Sequence, residues 1–194
     1  MRGLLAERTP GLDQFTKLLN HLAGSQPLRA LVVVGMVLWL LRTRRWQPVV
    51  TLLAAPAGSE FASTVLKGIF GRPRPDPSRW LIMAHGSSMP SDVAAAVAGA
   101  CVAAVLVSRG LPERSRRGIA AVAMLLTLVA GVSVVYVGVH WPTDVVAGWL
   151  LGALVAVAID RGVRLIGGVL TPARTSDAVV DAEEAGTADR LHAS

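Results

Sequence analysis

The sequence predicts an all-α, membrane-embedded helical bundle of about five transmembrane helices, preceded by a short N-terminal amphipathic helix. Three observations lead to this fold class. Hydrophobic residues make up 53% of the 194-residue chain and only 16% of residues are charged, against roughly a quarter in soluble domains. The apolar residues, chiefly Ala, Val and Leu, fall in long runs with few charges, as bilayer-spanning segments do. The arginines gather in short clusters between those runs, where they orient a membrane protein.

Residues 1–26 are mixed polar and apolar, with Leu12, Phe15, Leu18, Leu19 and Leu22 at helical spacing. That spacing predicts a short amphipathic helix. Two placements are open: flat on the membrane surface, or packed on protein as an ordinary surface helix. The first apolar run, 28–42, is short for a hydrocarbon layer about 30 Å thick at about 1.5 Å per residue. Arg29 and Arg42 can extend it by snorkelling. A second run covers 48–70 and holds Glu60 among apolar neighbours. A third, 91–108, is rich in Ala and Val, and a fourth, 119–139, is the cleanest span. A fifth, 145–160, ends at Asp160 and Arg161. Small residues such as Gly99, Gly131, Gly148 and Gly152 permit close helix approach. Residues 27–170 therefore form the bundle. The segment 171–194 is polar, lacks an apolar period and is expected to be a disordered tail.

The net charge of +6 would raise nucleic acid as a partner in a soluble protein. No stretch here combines basic and aromatic residues as nucleic-acid readers do, so topology and anionic headgroups account for the charge. Alternating crossings put 43–47 and 109–118 on one side, and 71–90 and 140–144 on the other. Arg42, Arg44, Arg45, Arg109, Arg114, Arg116 and Arg117 mark the first side as cytoplasmic, together with the C-terminal tail. Loops 71–90 and 140–144 then face outward. Cys101 is the single cysteine and can form no internal disulfide. The first twenty residues hold no continuous apolar core, so no cleavable signal is expected. Nothing in the sequence indicates an oligomeric state.

Three stretches on the outward side carry chemistry. The first, Lys67 to Pro75, reads KGIFGRPRP. Each proline pushes its preceding arginine, Arg72 or Arg74, into extended backbone. A lysine point charge beside a planar guanidinium cradles phosphate well; the plainer reading is a basic surface loop. The second, SSMPSDVAAAVAG, sets Pro90, Ser91 and Asp92 before an apolar helix. Ser91 or Asp92 caps that helix, and its free N–H groups can receive an anion. Taken alone, the segment favours simple capping. The third, SVVYVGVHWPTDVVAG, places Asp144 four residues after His140. A carboxylate beside an imidazole sets its tautomer and stabilises the imidazolium, and such an imidazole can attack phosphorus. The alternative makes His140 an interfacial polar group and Asp144 a carboxylate favoured by a helix N-terminus.

Together these stretches resemble the type 2 phosphatidic acid phosphatase superfamily, the lipid phosphate phosphatases, which have the vanadium haloperoxidases as soluble relatives. The family pattern begins with a lysine, six residues and Arg-Pro, which Lys67 and Arg74-Pro75 match. Its second part is Pro-Ser-Gly-His, where this chain has Pro90, Ser91, Asp92 and Val93. Its third is Ser-Arg, five residues, His, three residues, Asp. Ser133, His140 and Asp144 match it, and Val134 holds the arginine position. The resemblance covers about 50–160 and extends to Tyr136, Gly138, Trp141 and Pro142.

The resemblance implies His140 as a nucleophile forming a phosphohistidine, with Asp144 orienting it. Lys67, Arg74 and Ser91 would hold the phosphate oxygens. Val93 replaces the family's general acid and Val134 one phosphate-binding arginine, leaving Asp92 and His85 as candidate substitute acids. General acid catalysis is worth about 10²–10⁴-fold, and one preorganised donor about 10²–10³-fold. Three functions follow: a lipid phosphatase that prefers diphosphates, a lipid-phosphate binder without turnover, or a membrane scaffold subunit. Polyprenyl diphosphate, phosphatidic acid and phosphatidylglycerol phosphate all suit the substrate role. No metal or other cofactor is expected, since His21, His85, His140 and His192 show no ligand spacing and the family's hydrolases work without metal. Glu60 is a further functional candidate as an intramembrane carboxyl, or else a neutral group bonded between helices.

Overall fold

The computed structural model describes residues 9–24 and 26–170. The expected tail, 171–194, and residues 1–8 lie outside the described residues. The described α-helices are α1 (Pro10–Gly24), α2 (Gln26–Thr43), α3 (Trp46–Phe70), α4 (Asp92–Val107), α5 (Glu113–Tyr136) and α6 (Pro142–Leu170). Short 3₁₀ turns occupy Pro77–Arg79 and Ser108–Gly110, and there is no strand among the described residues. The described residues up to Val163 make one compact unit, and the described residues from Arg164 are the end of α6.

The chain is an all-helical integral membrane protein. Four helices are long and apolar enough to cross a bilayer: Trp46–Phe70, Asp92–Gly110, Glu113–Tyr136 and Pro142–Val169. The first expected span forms a shorter apolar helix, Ala30–Thr43, in keeping with its brief apolar run. Ion pairs at the end of the bundle opposite the 71–91 segment let two helices outrun their apolar stretches. Glu113 pairs with Arg116 and Arg117 at 2.5 and 2.8 Å, and these i,i+3 and i,i+4 contacts start α5 before residue 119. Asp160 does not end α6 as its charge suggested. Arg109 reaches it at 3.2 Å, so a nearly buried carboxylate is neutralised and the helix runs on to Leu170.

Small residues bring the helices together, because lipid gives apolar faces little reason to leave it. Ala55, Ala103 and Ala156 form one buried cluster across α3, α4 and α6. Ala94, Val134, Val135 and Val145 form another across α4, α5 and α6. The α4 and α6 backbones almost touch. A Cβ on Gly148 would lie 2.6 Å from the Ser91 carbonyl oxygen, and one on Gly152 would collide with that of Ala95. Large apolar side chains such as Phe61, Leu150 and Leu154 point outward, where acyl chains can cover them.

Helix α1 packs on α5 through its polar face. Tyr136 Oη donates to Asp13 Oδ1 at 2.8 Å, and Asn20 Nδ2 to Ser133 Oγ at 3.4 Å. Leu12, Phe15, Leu18 and Leu22 are left exposed, so the helix packs on protein by its polar face and leaves its apolar face uncovered. The C-termini of α3 and α5 and the N-termini of α4 and α6 meet at one end of the bundle. There Gly71, in the left-handed region at φ 57°, ends α3 and returns its N–H to Lys67 O at 3.1 Å.

Candidate active site

The 71–91 segment is folded onto that end by bonds its sequence makes possible. Ser88 donates its N–H to Arg72 O at 2.8 Å and its Oγ–H toward Pro73 O at 3.1 Å. Two indoles hold the proline-rich stretch: Trp80 Nε1 donates to Pro75 O at 3.0 Å, and Trp141 Nε1 to Pro73 O at 3.1 Å. Leu81 N–H donates to Val137 O at 2.9 Å. Extended backbone sends residues i and i+2 to the same side. Arg72 and Arg74, separated by one proline, accordingly both reach the His140–Asp144 turn.

Arg74 is a half-buried guanidinium with nearly all of its donors engaged. Nε donates to Gly86 O at 3.0 Å, Nη2 to His85 O at 2.9 Å and Nη1 to Val139 O at 3.0 Å. Nη1 also lies 3.3 Å from His140 Nε2. Burial lowers the pKa of Arg74 from its ordinary value, while Asp92 and Asp144 nearby act to raise it. A guanidinium can only donate, so this contact requires a lone pair on Nε2. The proton of neutral His140 then sits on Nδ1, facing Asp144.

Asp144 is fully buried and is gripped on both oxygens. Arg72 Nη1 donates to Oδ1 at 2.8 Å and the Trp141 N–H to Oδ2 at 2.8 Å. The same Nη1 is 2.6 Å from Thr143 Oγ1, and the Arg72 guanidinium lies 5.7 Å from the centroid of the Trp141 ring, within range of a cation–π contact. His140 is 2% exposed. Its Nδ1 stands 3.5 Å from Asp144 Oδ2 and makes no hydrogen bond. Contacts of this kind are often loose in unliganded sites and tighten with substrate.

Lys67 Nζ is 3.0 Å from Asp92 Oδ2, and Asp92 Oδ1 is 3.9 Å from His140 Nε2. Lys67, Arg74, His140, Asp144 and Asp92 are therefore drawn together. Ser91 is buried behind them: its Oγ caps α4 by accepting from Ala94 N–H at 3.4 Å, and its N–H donates to Asp144 O at 3.0 Å. His85 is exposed and gives Arg74 its backbone carbonyl. Val134 is 1% exposed within the apolar cluster of α4, α5 and α6. No group of His, Cys, Asp and Glu suited to a metal ion occurs among the described residues.

A sequence profile described as the PAP2 superfamily matches residues 48–165, more than half of the chain. This protein belongs to that superfamily. Phosphatidylglycerophosphatase B of Bacillus subtilis (strain 168) is 29% identical over 153 residues, covering 76% of this chain and 73% of that one. An undecaprenyl-diphosphatase of Sulfolobus acidocaldarius is 73% identical over 22 residues, 11% of each chain. Among solved structures, a transmembrane PAP2-type phosphatidylglycerolphosphate phosphatase from Bacillus subtilis superposes with a TM-score of 0.72 at 23% identity, covering 89% of this chain and 84% of its own. Aquifex aeolicus LpxE follows at 0.65 and 25% identity, covering 81% and 90%.

Arg72 and Trp141 are the site residues to which the motif spacing assigned no task. The alternation of arginine and proline was the available signal, since it sets both arginines on one side. Removing Arg72 strips a buried carboxylate oxygen of its charged donor, which costs about 1–3 kcal/mol. Arg72→Ala should accordingly lower the thermal unfolding midpoint in detergent, and Arg72→Lys, which lacks the planar fork, should recover only part of the loss. A midpoint unchanged in Arg72→Ala would show that Asp144 is held without it.

Proposed function

We propose that this protein hydrolyses a lipid phosphate or diphosphate at the bilayer surface through a phosphohistidine on His140. The observation that supports this most directly is His140 itself, with Nε2 beside Arg74 and Nδ1 toward a clamped Asp144. The Nε2 lone pair attacks phosphorus, and the bond to the bridging oxygen breaks with its electron pair leaving on that oxygen. Asp144 stabilises the imidazolium that develops. Water then attacks the phosphohistidine, releasing inorganic phosphate and returning the lone pair to Nε2. Lys67 and Arg74 offset charge on the non-bridging oxygens. Ser91 Oγ only accepts in its long cap contact, so its hydroxyl proton is the group it can add.

Substrate preference follows from protonation. The position of the family's acid is held by Val93, and Asp92, one of the two candidate substitutes, is ion-paired with Lys67. An ion-paired carboxylate is a poor donor, and His85 is the remaining candidate. A diphosphate needs little help, because its leaving group is itself a phosphate ester. A monophosphate must expel an alkoxide. Diphosphates are therefore the favoured class, and one relative is named for such a substrate. An apolar groove of about 280 Å³, lined by Val93, Val97, Leu126 and Ala130 among others, suits an acyl or prenyl chain.

The arginine clusters favour a cytoplasmic location for the opposite end of the bundle, with the site facing outward. Ser78→Cys, at an exposed position of the 71–91 segment, in a Cys101→Ser background should then react with a membrane-impermeant maleimide in intact cells. Labelling only after lysis would reverse the orientation.

A second reading, lipid-phosphate binding without turnover, is favoured by one observation: the lysine of the cradle already holds a carboxylate. One experiment separates the two. Purified protein given a polyprenyl diphosphate should release inorganic phosphate, with His140→Ala at background. Release no greater than in that variant would end the hydrolase reading, and binding retained in its absence would establish the second.

A further inference from the structure

The Lys67–Asp92 pair lies where the proposed reaction needs an anion. Lys67 is on the last turn of α3, and Asp92 is the first residue of α4, just after the Ser91 cap. One carboxylate oxygen is 3.0 Å from Lys67 Nζ and the other 3.9 Å from His140 Nε2, and Arg74 Nη1 is 3.3 Å from the same nitrogen. A phosphoryl group attacked by Nε2 while held by Lys67 must put its oxygens between the same two groups. The carboxylate and the phosphate compete for one place.

We propose that Asp92 is a resident anion that occupies the phosphate cradle and sets its specificity, excluding free inorganic phosphate while admitting a phosphate anchored in the bilayer. The proposal rests on the reading of Lys67, Arg74 and His140 as that cradle. Two features make Asp92 displaceable where Asp144 is not. Its side chain is 39% exposed, whereas that of Asp144 is 0% exposed and held on both oxygens. Displacement therefore requires a side-chain rotation toward solvent and the loss of one ion pair. A lipid brings the binding energy of its chain to that exchange and is concentrated at the surface where the site opens. A free phosphate brings neither. Asp92 consequently also hastens departure of the product, since the carboxylate can return to Lys67 as phosphate leaves.

The test uses the full chain in detergent, with inorganic phosphate as the probe followed by calorimetry. Asp92→Asn keeps the size of the side chain and removes its charge. A like charge at about 4 Å weakens binding by about 5- to 700-fold, depending on the local dielectric. Asp92→Asn should therefore bind phosphate tighter than the unmodified chain by a factor in that range, and Asp92→Gly should do the same if Asn perturbs the fold. Adding Lys67→Ala to either variant should abolish the gain. Equal or weaker phosphate binding by folded Asp92→Asn and Asp92→Gly, with Lys67→Ala still reducing it, would overturn the resident-anion proposal and leave the cradle intact. Absence of phosphate binding in every variant would overturn the cradle and this proposal together.

Discussion

The carboxylate of Asp144 ties the functional end of the bundle together. It lies at the start of α6, yet its oxygens are held by the 71–91 segment through Arg72 and by the preceding turn through the Trp141 N–H. Its backbone carbonyl takes the N–H of Ser91 at the head of α4. One residue thereby joins three stretches far apart in sequence, and its Oδ2 stands 3.5 Å from His140 Nδ1. Fully buried charge is tolerated only when paired and hydrogen-bonded. The Arg72 grip is thus a condition for the site to exist.

Helix packing supplies the other condition. Gly148 and Gly152 let α6 approach α4 closely enough for the Ser91–Asp144 backbone bond to form. Clusters built largely from alanine and valine continue that contact down the bundle. Val134, where the family pattern has an arginine, belongs to this packing rather than to the anion site. Its neighbourhood is apolar, while Lys67 and Arg74 bring the cations that stand near His140 and Asp92. The result is a PAP2-superfamily scaffold with Lys67, Arg74, His140 and the Asp92 carboxylate gathered at one end.

Local signals in the sequence were reliable where the chemistry was local. The i,i+4 spacing of His140 and Asp144 at a helix start, and the Ser91 cap, were legible because neighbours in sequence determine them. The crossings of α3 to α6 were legible because apolar length alone defines a span. Long-range pairing was not. The fifth apolar run stopped at Asp160, whose partner Arg109 is remote in sequence, in the turn after α4. Arg72 had no visible task because Asp144 lies across the bundle mouth from it. Helix α1 could not be placed until Asp13 and Asn20 were seen on Tyr136 and Ser133, with the leucines turned away. Asp92 read as a possible acid, and only its distance to Lys67 revealed the ion pair.

The central claim is that Lys67, Arg74 and His140 form one phosphate cradle from which Asp92 must withdraw. An experimental structure of the protein with orthovanadate, a mimic of phosphorus in transfer, tests it most directly. The account predicts vanadium bonded to His140 Nε2, its oxygens contacting Lys67 and Arg74, and the Asp92 side chain rotated away from Lys67. Vanadate bound elsewhere, or seated at His140 with the Lys67–Asp92 pair intact, would contradict it.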